Sequence, residues 1–178
     1  MQLLKYALPL GLALSAPALS HIVFDTDQGT ADGYYAGVLR VSHGCGQSPT
    51  RSIRVEMPAS VISAKPQPKA GWTIKVEKEA LKEPVAGEGG RKITERVVAI
   101  SWTGSLPTDQ FEQFGIMMKL PANAGPLYFP TRQICETGET LWSNIPESPA
   151  KWHDVENPAP MLIVKPAAAH DMHAGHGG

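Results

Sequence analysis

His21 offers the most chemistry in this chain, because of what precedes it. Residues 1–20, MQLLKYALPLGLALSAPALS, have the form of a secretory leader: Lys5 is a positive n-region, Tyr6 to Ala16 an apolar stretch, and Ala18-Leu19-Ser20 a small-residue cleavage site. Cleavage after Ser20 makes His21 the first residue of the mature chain. A terminal histidine presents an α-amine and an imidazole on one residue, and the amine and Nδ1 close one chelate ring on a metal ion. With ordinary pKa values of about 7.7–8.0 and about 6.5, both nitrogens shed their protons near neutral pH, as ligation requires. Such a donor pair suits Cu(II), which stands at the top of the divalent affinity series. Cleavage a residue or two away would leave His21 an ordinary strand residue.

Further candidate ligands lie elsewhere. The tail after Val164, KPAAAHDMHAGHGG, holds His170, Met172, His173 and His176 and has no apolar periodicity, so it is expected to be disordered. Short histidine-rich tracts capture metals by composition, and the Met172 thioether adds affinity for Cu(I); the alternative is a neutral tail or tag. His43 sits in a Ser-His-Gly-Cys-Gly turn. If residues 21–25 and 34–43 pair about a turn near 31–32, opposed residues sum to about 63, and His21 falls beside Ser42 and His43. Directly opposed residues have Cβ atoms about 4.5–5.5 Å apart, within reach of one metal. The other reading of His43 is a backbone-holding turn residue.

The two cysteines, Cys45 and Cys135, allow one intramolecular pair, and a secreted chain favours a disulfide over a thiolate metal site. That bond ties Cys135–Trp142 to the His43 loop and brings Trp142 towards the terminus, where an indole face covers a cation by cation–π attraction. Glu56, Glu136 and Glu139 are possible carboxylate ligands. Trp72, Trp102 and Trp152 read as core packing. No GxSxG, HExxH or phosphate-cradling glycine motif occurs.

The elements that must hold these residues are short strands. Proline (16) and glycine (17) punctuate brief apolar runs throughout, which predicts an all-β antiparallel sandwich with one disulfide. Strands are expected at 21–25, 34–42, 51–57, 72–77, 97–103, 114–120, 127–136, 140–145 and 161–164, with a polar turn over 28–33. The helical candidate is short, at 107–113, and reads equally as a loop whose Leu106, Phe111 and Phe114 pack on the core. Residues 21–165 make one domain, with 1–20 as leader and 166–178 as tail. Without Lys5, 15 basic residues face 17 acidic ones, a formal charge of −2 that offers no broad attraction to nucleic acid. No second apolar stretch approaches the roughly twenty residues needed to span a bilayer, so no membrane span is expected after cleavage.

Several segments together resemble a known family. The His-Ile-Val start, LRVSHGCG, IRVEMPASV, KPQPKAGWTIKV and LYFPTRQICETGETLW are similar to the YcnI-like copper-binding domain in its proteobacterial form. The resemblance covers roughly residues 20–165. It implies a secreted, Ig-like or fibronectin-like β-sandwich that binds Cu(II) through its amino-terminal histidine, a mono-histidine brace, with a glutamate ligand and a tryptophan close to the metal. His21 then corresponds to the brace residue and Trp142 to the tryptophan. Bacillus-type members carry a Trp-Glu pair where this chain reads Tyr34-Tyr35, so that glutamate is missing. The proteobacterial pattern carries His43-Gly44-Cys45, and His43 is expected to take up part of the ligation. The function implied is a periplasmic copper protein for storage or delivery, exchanging copper with periplasmic carriers or membrane copper transporters. The rival expectations are a copper-dependent redox enzyme of the polysaccharide-monooxygenase type, and an interaction sandwich with incidental metal binding.

Overall fold

The computed structural model describes residues 21–167. The leader-like stretch 1–20 and the tail ligands His170, Met172, His173 and His176 lie outside the described residues. In chain order the strands are β1 (Val23–Phe24), β2 (Gln28–Thr30), β3 (Tyr34–Val41), β4 (Thr50–Glu56), β5 (Ala64–Pro66), β6 (Thr73–Ala86), β7 (Lys92–Leu106), β8 (Glu112–Lys119), β9 (Gly125–Tyr128), β10 (Thr131–Cys135), β11 (Glu139–Trp142) and β12 (Met161–Lys165). They form a four-stranded sheet in the order β1-β3-β8-β5, a five-stranded sheet β11-β10-β4-β7-β6 and a three-stranded sheet β2-β12-β9.

Period-two alternation decides which side chains face inward. β3 buries Tyr35, Leu39 and Val41; β8 buries Phe114, Ile116 and Met118; Ile53, Val55 and Met57 face the core from the β4 segment. The sheets meet through aromatic contacts. Trp102 of β7 packs on Phe114 of β8 with ring centroids 5.2 Å apart, and Phe24 of β1 meets Phe129 at 4.9 Å, edge to face. The result is the expected all-β sandwich, closed by a Cys45–Cys135 disulfide. The pairings are antiparallel apart from β2 with β12, which run parallel.

Four local expectations change. The 28–33 segment is a turn only from Ala31, with Asp32 at φ 56°; residues 28–30 form a strand instead, because β12 offers an open edge. The single strand expected over 127–136 is two strands in different sheets. The chain changes sheet at Phe129-Pro130, where Pro130 has no N–H for a ladder and its carbonyl accepts from Glu56 N at 2.8 Å. The 107–113 segment is not a helix. It is a turn in which Gln110 N bonds Pro107 O at 3.3 Å, followed directly by β8, and Phe111 is exposed while Leu106 and Phe114 are buried. Seven residues with no apolar face to bury gain too little to nucleate a helix. Last, β6 and β7 run well beyond the core. Their outer halves are held by cross-strand charge pairs such as Arg96 Nε donating to Glu79 Oε1 at 2.6 Å, which the apolar pattern does not report. No helix among the described residues is long and apolar enough to cross a membrane.

Candidate metal centre

The pairing of β1 with β3 has the expected register: Val23 faces Arg40 and Phe24 faces Leu39, sums of 63. Ile22 and Phe24 are buried, which pins residues 22–24 against the core and leaves His21 half-buried at the end of the sheet. Three rings stand around it. Trp152 meets the His21 ring edge-on at 5.0 Å between centroids, His153 lies at 5.9 Å with the planes tilted 35°, and Trp142 stands edge-on at 6.3 Å.

Each neighbour is positioned by a separate element. Trp142 ends β11, opposite Thr131 of β10. Its buried Nε1 donates to Oε1 of Gln133 at 3.0 Å. The same Gln133 amide, itself buried, donates to the His43 carbonyl at 2.6 Å and to Thr50 Oγ1 at 2.8 Å. One side chain on β10 therefore fixes the tryptophan, the His43 loop and the start of β4 together. The disulfide repeats the tie, with Cys45 N 3.0 Å from Cys135 Sγ. Trp152 and His153 come from a 3₁₀ segment, Pro149–Asp154, started by a proline whose fixed φ suits a first helical position. Trp152 is buried and donates from Nε1 to the Ala159 carbonyl at 2.7 Å. Its ring contacts His153 at 4.9 Å as well as His21. His153 is exposed and lines, with Asp25, Asp27 and Pro149, an open cleft of about 360 Å³.

Burial, then the neighbouring His153, holds the His21 imidazole below its ordinary pKa of 6.5. The ring is thus neutral, and its nitrogen lone pair free, at neutral pH. Among the described residues no three His, Cys, Asp or Glu side chains cluster as a metal site. A metal held at His21 needs a donor that is not a side chain, and the α-amine that cleavage would free is such a donor. Amine and imidazole nitrogens are also the chemistry Cu(II) prefers, so the residues present fit that ion.

Of the residues expected here, Trp142 does stand beside His21, and Cys45 and Cys135 are bonded to each other. His43 is on the tethered loop, with Nδ1 2.6 Å from its neighbour's carbonyl at Gly44, and it is the His43 backbone that Gln133 links to Trp142. Glu56, Glu136 and Glu139 are each paired with an arginine: Arg54 at 2.6 Å, Arg51 at 3.2 Å and Arg132 at 3.4 Å. Tyr35, where the resemblance looks for glutamate, is a core residue. Its ring packs on Phe24 at 6.0 Å, its hydroxyl donates to the Thr26 carbonyl, and burial, with Asp27 and Asp25, pushes that hydroxyl to a pKa of about 12. Sequence reasoning missed the place of Trp152 and His153. Trp152 is core as expected, and it also walls the site. The one available signal was an adjacent Trp-His pair in a proline-bounded polar loop.

Comparisons with known proteins agree with this architecture. A family model described as a domain of unknown function, DUF1775, matches residues 21–164. The chain is similar to a crystal structure of an uncharacterized protein from Nocardia farcinica with an immunoglobulin-like fold, at 24% identity and a TM-score of 0.61, over 81% of this chain and 97% of that one. A protein from Corynebacterium diphtheriae described as membrane anchored matches at 9% identity and a TM-score of 0.40, over 81% of this chain and 33% of its own. No curated relative matches.

Proposed function

The chain belongs to the DUF1775 family of immunoglobulin-like domains, and from that premise we propose that it is an extracytoplasmic copper(II)-binding protein that stores or delivers the ion. Copper is its cargo. The mature amino terminus at His21 holds it through the α-amine and Nδ1, with Trp142 beside the site, and His170, Met172, His173 and His176 serve as a collecting arm. His43, on the loop that Gln133 ties to Trp142, is the alternative second imidazole donor. The exchange partners are periplasmic copper carriers or membrane copper transporters.

The observation that carries the reading is the setting of His21: a half-buried imidazole kept neutral, walled by two tryptophans and a second imidazole. An ordinary strand-end histidine would have no such enclosure. Two facts support it. The disulfide belongs to a domain that folds in an oxidising compartment. The family match begins at His21, the residue that leader cleavage would expose. Trp142 and Trp152 supply apolar walls beside the site.

The test is direct. The mass of the mature protein should correspond to a chain starting at His21. That protein should take up one Cu(II) with a nitrogen-rich electron paramagnetic resonance spectrum at one equivalent. Acetylating the mature amino terminus takes the His21 α-amine out of the donor set, and the affinity should fall by at least two orders of magnitude. Equal affinity with and without the acetyl group would rule out the terminal site.

A further inference from the structure

We propose that His153 supplies the second imidazole to the ion chelated by His21, so that the site takes three nitrogens from two residues: the amine and Nδ1 of His21 and a ring nitrogen of His153. This rests on the reading above that His21 is the mature terminus.

The geometry carries it. With metal–nitrogen bonds of about 2.0–2.1 Å and each ring nitrogen roughly 1.1 Å from its centroid, two imidazoles on one ion have centroids no more than about 6.4 Å apart. The His21 and His153 centroids are 5.9 Å apart, inside that limit and near its wide-angle end. The two rings are also held by a common support. Trp152 is anchored through its Nε1 bond to Ala159 and touches both rings, His21 at 5.0 Å and His153 at 4.9 Å. A buried indole that fixes the spacing of two imidazoles does the orienting work that groups behind a metal's ligands ordinarily do. His153 is exposed and lines the cleft, so an ion arriving from solvent meets it directly. Glu56, Glu136 and Glu139 are engaged with arginines, and Tyr35 is locked in the core. Two imidazoles and an amine form a neutral, all-nitrogen set of the kind that selects Cu(II) over harder ions.

The test counts imidazoles. The full mature chain carrying His170→Ala, His173→Ala and His176→Ala is loaded with one equivalent of Cu(II) and examined by electron spin-echo envelope modulation. Two coupled imidazoles are expected, falling to one in the added variant His153→Ala, with a loss of affinity of at least tenfold. A His43→Ala variant should retain both. A single imidazole in the parent, or two persisting after His153→Ala, would overturn the assignment while leaving the terminal site intact. No stoichiometric copper in the parent would overturn both. Because the parent alone decides the imidazole count, the result does not depend on the variant folding.

Discussion

Gln133 shows how a single buried side chain positions the residues beside His21. Its amide spends both ends on partners from three elements: Trp142 Nε1, the His43 carbonyl and Thr50 Oγ1. Gln133→Ala strands an indole N–H and a carbonyl in the interior and opens a void. The expected cost is about 2–4 kcal/mol in urea unfolding, together with a shift in tryptophan fluorescence. His21 makes a second residue-scale case. Its pKa lies below 6.5 in the folded protein, so the unfolded chain takes up the proton first as pH falls. The group leaves stability unchanged above its ordinary pKa and subtracts from it as pH drops from about 6.5 through the folded value. His153→Ala removes the neighbour that, after burial, helps to hold the His21 pKa down, so the His21 titration followed by NMR in the metal-free protein should move upward, towards 6.5. An unchanged midpoint would mean that the two rings do not sense each other.

At the scale of elements, the end of the sandwich that carries His21 is assembled from pieces with little structure of their own. β1 has two residues, β11 four, and the Trp152–His153 segment is one irregular 3₁₀ stretch. Such pieces are held by tertiary ties, and the Cys45–Cys135 bond closes a loop with a sequence separation of 90. The chain-entropy model puts its contribution at about 4.6 kcal/mol, which for a domain of this size is roughly 9–18 °C in melting temperature. Replacing both cysteines with alanine should lower the transition by that amount by calorimetry and weaken copper binding as the His43 loop and Trp142 separate. A melting temperature unchanged within a few degrees would show that hydrogen bonds such as those of Gln133, Glu136 N and Thr137 N hold the loop without the disulfide. The outer halves of β6 and β7 contrast with this: their residues are exposed and held by surface charge pairs worth only about 0.2–1 kcal/mol each.

At the scale of the whole molecule, one apolar core joins all three sheets, with the candidate site at one end. The histidine- and methionine-bearing tail follows β12, which runs from Met161 in the cleft beside His153 to Lys165 opposite Thr30, a strand's length from the site. A tethered ligand segment raises the local concentration of captured ion near its anchor. Deleting residues 168–178 should therefore slow copper uptake at limiting metal, measured by stopped-flow, while leaving the equilibrium affinity of the terminal site unchanged. Identical uptake rates would remove the tail from the mechanism.

The sequence by itself determined the strands with clean alternation, the all-β class, the disulfide and the register of 63 that runs from β1 to β3. These follow from local period-two patterning, from having two cysteines, and from a turn whose position fixes the pairing of its flanks. Trp142 was legible because the cysteine bond carries it towards the chain start. The tertiary structure alone decided that Trp152 and His153 surround His21. Their positions depend on where a short 3₁₀ segment between β11 and β12 docks, which the parallel β2–β12 pairing and the sheet change at Pro130 control. Neither leaves a periodic trace in the chain. The missing glutamate is settled the same way. Tyr35 points inward on β3 because strand parity and the space beside Phe24 demand it, so position 35 presents no donor beside His21.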